Sequence, residues 1–117
     1  MKAVIILNEG PYGSERSYNG MRLANSLRKH DPQGSVTVFL MGDAVSCAHA
    51  GQKPPEGFYN IGKMIHRLID GGGRVLLCGT CMDARGLSEG ELVEMAQRST
   101  LDELTVATLA ADKVLTF

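Results

Sequence analysis

The chain has no tryptophan and only three tyrosines and three phenylalanines. Aromatic anchors dominate many binding hot spots, so the sequence announces no such patch. Three cysteines are an odd number and a poor disulfide framework, and nothing in the pattern points to export. A reducing, cytoplasmic setting is expected, where a cysteine serves as metal ligand, reactive thiol or core filler. No apolar stretch approaches the roughly 18 residues of a membrane span. The opening MKAVIILNEG has too short an apolar run and no cleavage site, which marks a buried strand rather than a signal peptide. An excess of one charge is also missing. The 12 basic and 13 acidic side chains leave a net charge of −1, without the electrostatic footprint of a nucleic-acid binder. The balance does drift, with two basic and six acidic side chains in residues 87–117, which reads as a solvated face or a docking surface for a basic partner.

What is present is an ordinary globular composition, 44% hydrophobic and 21% charged over 117 residues. A chain of this size exposes about 6,200 Å² when folded against about 18,000 Å² unfolded, enough burial for a core without staples. No repeat, low-complexity segment or long linker divides it, so residues 1–117 are expected to form a single domain.

The pattern alternates strands and helices. Ala3 to Leu7 is a continuous apolar run bounded by Asn8-Glu9-Gly10-Pro11, and Ser35 to Met41 is a β-branched second run. Between them Tyr18, Met21, Ala24 and Leu27 recur as a helical stripe, with Ser14 as its N-cap and Glu15 in its first turn, ending before Asp31-Pro32. Asp43 is placed to cap a short helix through Ala50, and the loop GQKPPEG follows. Ile61, Met64, Ile65 and Leu68 predict an amphipathic helix stopped by Gly71-Gly72-Gly73, and Arg74 begins a third strand. Residues 87–98 are ambiguous: Ser88 and Glu91 have capping-box spacing, yet the apolar face is weak. Thr100 and Glu103 repeat that spacing before a firmer helix, and Asp112 to Phe117 closes as a strand. The expected fold is three-layer α/β/α around a mostly parallel sheet, with sites at the C-terminal ends of the strands.

The sharpest chemical signal is Cys78-Gly79-Thr80-Cys81 at the end of the third strand. Two thiols at this spacing can meet, and a helical turn over residues 79–85 would aim unpaired N–H groups at a thiolate. Buried core filling is the bland alternative, since Cys78 directly follows Val75-Leu76-Leu77. Three chemistries use such a pair. A thioredoxin-like oxidoreductase needs a later cis-proline, but Pro11, Pro32, Pro54 and Pro55 all precede the motif. Zinc would recruit Cys47 and His49, which point apart if that segment is helical. A sulfur carrier needs one accessible, low-pKa cysteine, and position alone favours Cys81 as the more exposed. The loop NEGPYGSERS, with Pro11, Tyr12, Gly13 and Ser14, reads as a tight turn lining the site; it lacks a P-loop ending and a dinucleotide fingerprint. Arg85 is placed either to hold an anion near the thiols or to form a surface salt bridge. His30 and His66 read as surface or helix-packing residues, and His49 is the histidine best placed to join a site.

Taken in order, NEGPYGSERSYNGMRLA, FLMGDAV, GQKPPEGFYNI, CGTCMDARGL and the closing ADKVLTF resemble the DsrE-like family along the whole chain, and most closely its small stand-alone homo-oligomeric members. The resemblance implies a parallel sheet between helix layers, intracellular sulfur relay through a cysteine persulfide, and assembly as a trimer or hexamer. It requires no cofactor or metal, and it implies protein donors and acceptors of sulfur as partners. It places the sulfur on Cys78, seven positions before Arg85-Gly86, with Cys81 as its partner and Cys47 as core packing. It also implies a fourth strand near residues 93–97, making five with those near 2–8, 35–41, 74–78 and 112–117. The alternative reading is an oligomeric small-ligand-binding or redox-sensing protein that transfers no sulfur.

Overall fold

In a computed structural model that describes residues 1–117, both ends of the chain meet in one sheet. Strand β1 (Lys2–Leu7) leads through α1 (Arg16–His30) to β2 (Ser35–Leu40), a 3₁₀ segment (Gly42–Ala48), α2 (Ile61–Asp70) and β3 (Arg74–Cys78). The short α3 (Gly79–Ala84) and a 3₁₀ turn at Glu89–Glu91 precede β4 (Gln97–Ser99), α4 (Leu101–Ala110) and β5 (Lys113–Thr116). The strands lie in the order β4-β3-β2-β1-β5 and every pair is parallel. The fold is α/β, as expected, with helix layers on both faces of a five-stranded sheet.

The two faces are covered unequally. One carries Ile5, Leu7, Val38, Leu40, Val75 and Leu77, packed against Met21 and Ala24 of α1 and Ile61, Ile65 and Leu68 of α2. Each such large side chain contributes about 1.5–3 kcal/mol by leaving water, so this layer carries most of the stability. The opposite face presents Val4, Phe39 and Leu76, and the only buried residue of α4 set against them is Leu104. Alternation along the register puts Cys78 on this second, thinly covered face, beside Met41.

Local signals explain most boundaries. Asn60 caps α2 by accepting from the Lys63 N–H at 3.1 Å, and Thr100 caps α4 by accepting from the Glu103 N–H at 3.1 Å. Gly72 ends α2 at φ +94°, a conformation that suits glycine alone. Other expectations are corrected. Helix α1 starts at Arg16 with Glu15, which makes no side-chain cap, as its N-cap; Ser14 stands one residue earlier, where its hydroxyl donates to the Glu9 carboxylate and accepts from the Arg16 N–H at 3.3 Å. Asp43 caps nothing: the segment after β2 is a 3₁₀ helix ending at Ala48, with Met41 as N-cap, and the Asp43 carboxylate is held by Arg85. The fourth strand is shorter and later than residues 93–97. Leu92 is buried beside His49 in an isolated bridge, and the Ala96 N–H turns back to Val93. Met95 stands at φ +71°, so extended pairing begins only at Gln97.

Candidate functional site

The connections from β1, β2 and β3 all pass over the face covered by α1 and α2, whereas β4 leads into α4 on the other face. The neighbours β3 and β4 therefore send their chains to opposite sides. Such a switch point opens a crevice beyond the carboxyl ends of the strands, where open parallel sheets place their ligands. Cys78 is the last residue of β3 at that point, paired with Ser99 at the end of β4.

The CGTC segment turns there from strand to helix. Cys78 is itself the N-cap of α3: its Sγ accepts from the Cys81 N–H at 3.3 Å and lies 3.4 Å from the Thr80 hydroxyl. Both Cys78 and Cys81 are half-buried free thiols. Partial burial pushes the Cys78 thiol up, but hydrogen bonds from Cys81 and Thr80 outweigh it and leave the thiol below its ordinary value. Cys81 moves the other way. Burial and its side-chain hydrogen bond to Cys78 raise it, and the backbone of Gly42 and the charge of Arg85 only partly compensate. The pair is thus asymmetric, with Cys78 the better thiolate.

Arg85 lies close by but is otherwise engaged. Its guanidinium donates to the Asp43 carboxylate at 2.8 and 3.0 Å and to the Cys81 carbonyl at 3.0 Å, tying the loop after β2 to α3. The cation laid against the CGTC turn is one that sequence reasoning missed. Arg98 of β4 packs its guanidinium on Gly79, so closely that a Cβ there would come within 2.9 Å of its Cζ. Asp83 holds Arg98 by two hydrogen bonds of 2.7 and 2.9 Å. Beyond this pair opens a 480 Å³ cavity, which Ser88, Glu89 and Leu87 also line. Only the pairing of β3 with β4 would have revealed Arg98, and that pairing was not legible.

The first loop faces a different neighbour on the same edge of the sheet. The Tyr12 hydroxyl donates to Gln52 at 2.5 Å, and the Tyr59 hydroxyl donates to the Pro11 carbonyl at 3.0 Å. Gly13 is exposed, and Ser14 closes the loop on Glu9. His49 sits 3.6 Å from the Glu91 carboxylate, with its Nδ1 on the Ala50 carbonyl. None of these residues hydrogen-bonds to Cys78 or Cys81. Cys47 is fully buried, with its Sγ donating to the Glu9 carbonyl, and burial raises its thiol to about 12. The four residues weighed as zinc ligands are therefore not brought together, and no group of three metal-ligating side chains forms elsewhere.

Comparison with known proteins agrees with this architecture. The chain is 47% identical to Protein YchN of Escherichia coli, over 99% of this chain and 98% of that protein. It is 35% identical to an uncharacterized Methanocaldococcus jannaschii protein, MJ0989, over the full length of both. The crystal structure of the E. coli YchN protein superposes with a TM-score of 0.95, covering 100% of this chain and 99% of that one. A Methanobacterium thermoautotrophicum protein of unknown function, MTH1491, has the same fold at 13% identity, with a TM-score of 0.80 and coverage of 98% and 97%. The sequence model of the DsrE/DsrF-like family matches residues 1–117, and the chain belongs to that family.

Proposed function

We propose that this protein is a sulfur carrier of the sulfurtransferase type, with Cys78 as the sulfur-bearing nucleophile. The observation that carries the reading is the placement of Cys78: a half-buried thiol at the switch point of the sheet, whose Sγ accepts from the Cys81 N–H at 3.3 Å and lies 3.4 Å from the Thr80 hydroxyl, contacts that favour its thiolate over that of Cys81. In the loading step the Cys78 thiolate attacks the outer sulfur of a donor persulfide. A new S–S bond forms on Cys78, the donor's S–S bond breaks, and the donor leaves as a thiolate. Delivery is the same exchange in reverse, with an acceptor thiolate attacking the outer sulfur and Cys78 leaving. Cys81 offers a second exit. Its thiolate attacks the inner sulfur, expels hydrosulfide and closes a Cys78–Cys81 disulfide. A raised Cys81 slows that exit at neutral pH and favours delivery to a partner.

Donor and acceptor proteins are then the partners, in a reducing cytoplasmic setting. We also propose a homo-oligomer, a trimer or a hexamer. Leu101, Val106 and Leu109 of α4 and Val114 of β5 are all exposed on the thinly covered face, with Leu109 at 83%. No helix is long and apolar enough to cross a membrane.

Intact-mass spectrometry after exposure to a persulfide donor tests the exit route. The Cys81→Ser variant is expected to hold one added sulfur atom longer than the wild type. Equal lifetimes would reduce Cys81 to a modulator, and an unloaded, clean dithiol in the wild type would favour the ligand-binding or redox-sensing alternative.

A further inference from the structure

The sequence announces no aromatic patch, but the fold assembles one. Four of the six aromatic side chains gather around Tyr59, whose ring centre lies 4.0 Å from that of Tyr18, 5.5 Å from Tyr12 and 5.9 Å from Phe58. We propose that this cluster and the cations beside it bind a small phosphate ester bearing a planar ring, in the manner of a nucleoside monophosphate. A 430 Å³ cavity opens here between α1 and α2, within the roughly 300–1,000 Å³ of small-molecule sites. Tyr18, Phe58 and Tyr59 supply its rings, and Arg22, Lys63 and Arg67 are its only charged side chains. All three cations are exposed, and none has an acidic partner. Phe58 is 59% exposed, so the core does not account for it.

The cations stand against local preference. Lys63 lies in the first turn of α2, which holds no acidic residue and where the helix dipole disfavours positive charge. It also precedes Arg67 by four residues, a like-charge spacing that weakens a helix. Arg22 reaches in from α1, with its guanidinium 5.5 Å from the centre of the Tyr18 ring. The neighbouring cavity at the end of α1 differs. Its Arg28, Lys29 and His30 suit a helix C-terminus, and Arg28 is held by the carbonyls of Asp31, Pro32, Gly34 and Gly71. In a chain with 13 acidic against 12 basic side chains, a cavity with three unpaired cations and no acid points to an anion. Phosphate oxygens accept from guanidinium and ammonium groups, and a flat ring stacks on the exposed Phe58. A bare anion leaves the rings unused, and a neutral ring leaves the cations unpaired. The two chemistries are therefore specified together.

The tyrosines provide the readout. There is no tryptophan and all three tyrosines belong to the cluster, so NMR signals from ring-labelled tyrosine report on this site alone. Titration of the intact protein with AMP is expected to shift the Tyr18 and Tyr59 signals saturably at millimolar concentration or below. Adenosine and inorganic phosphate should each bind about tenfold more weakly. Arg22→Gln and Phe58→Ala should each weaken AMP binding about three- to tenfold, and added salt should weaken it further. Lys63→Glu separates binding from structure. Its carboxylate suits the first turn and faces Arg67, so the melting temperature is expected to rise while AMP binding is lost. No saturable shift with AMP, equal binding of adenosine or inorganic phosphate, or a Lys63→Glu variant that binds AMP like the wild type overturns the proposal. So does an assembled protein that Phe58→Ala dissociates, which would assign the cluster to contact between copies. Sulfur loading plays no part in these measurements, so they stand or fall apart from the carrier function.

Discussion

The three cysteines occupy three different environments, and their reactivities should separate accordingly. With native protein near neutral pH, iodoacetamide should modify Cys78 first and Cys81 more slowly. Cys47 should be modified only after unfolding, which peptide mapping of a time course would reveal. Cys47 also adds a pH dependence to stability. Burial lifts its thiol from an ordinary 9.0 to about 12, so the folded state holds that proton more tightly than the unfolded chain. The contribution is fully present below pH 9.0 and is lost as pH rises toward about 12, with a slope of at most about 1.4 kcal/mol per pH unit. Denaturant titrations of wild type and Cys47→Ala between pH 8 and 11 should therefore converge as the pH increases; parallel curves would contradict this. At this scale the sequence was informative where chemistry is local. Cys78, Gly79, Thr80 and Cys81 declare themselves as a run of four residues. Arg98 does not, because its place on Gly79 depends on two strands pairing across some twenty residues of intervening chain.

Elements were legible in proportion to their burial. β1, β2 and β3 are read correctly because both faces are covered, which leaves a continuous apolar run. α2 is read from its stripe and its glycine stop. β4 was misplaced for a physical reason: Leu92 and Val93 are apolar because they pack into the main core ahead of the strand, while the strand itself is Gln97-Arg98-Ser99 at the sheet edge. The left-handed Met95 that separates them costs about 1–2 kcal/mol in backbone strain. Met95→Gly should therefore stabilise the protein by up to about 1 kcal/mol, after the entropic cost of glycine, and raise its melting temperature. α4 depends on very little, with Thr100 as its cap and Leu104 as its only buried residue. Thr100→Ala should cost about 1 kcal/mol and Leu104→Ala about 2–5 kcal/mol in denaturant unfolding. If Leu104→Ala were neutral, α4 would not be held to the sheet in the way described.

For the molecule as a whole, the unequal layers set the behaviour. A folded surface of 6526 Å² slightly exceeds the roughly 6,200 Å² expected for this size, and Leu101, Val106 and Leu109 of α4 are among its exposed large apolar side chains. Light scattering is expected to return a multiple of the chain mass at micromolar concentration, and Leu109→Glu to shift the distribution toward the monomer. A wild-type monomer would remove the proposed assembly while leaving the thiol chemistry untouched. The most direct test of the central claim is intact-mass spectrometry of the wild type beside Cys78→Ser after exposure to one persulfide donor. The wild type should gain a single sulfur atom, located by peptide mapping on Cys78, and Cys78→Ser should gain none. Equal loading of the two proteins, or loading of the wild type only at Cys81 or Cys47, would contradict the account.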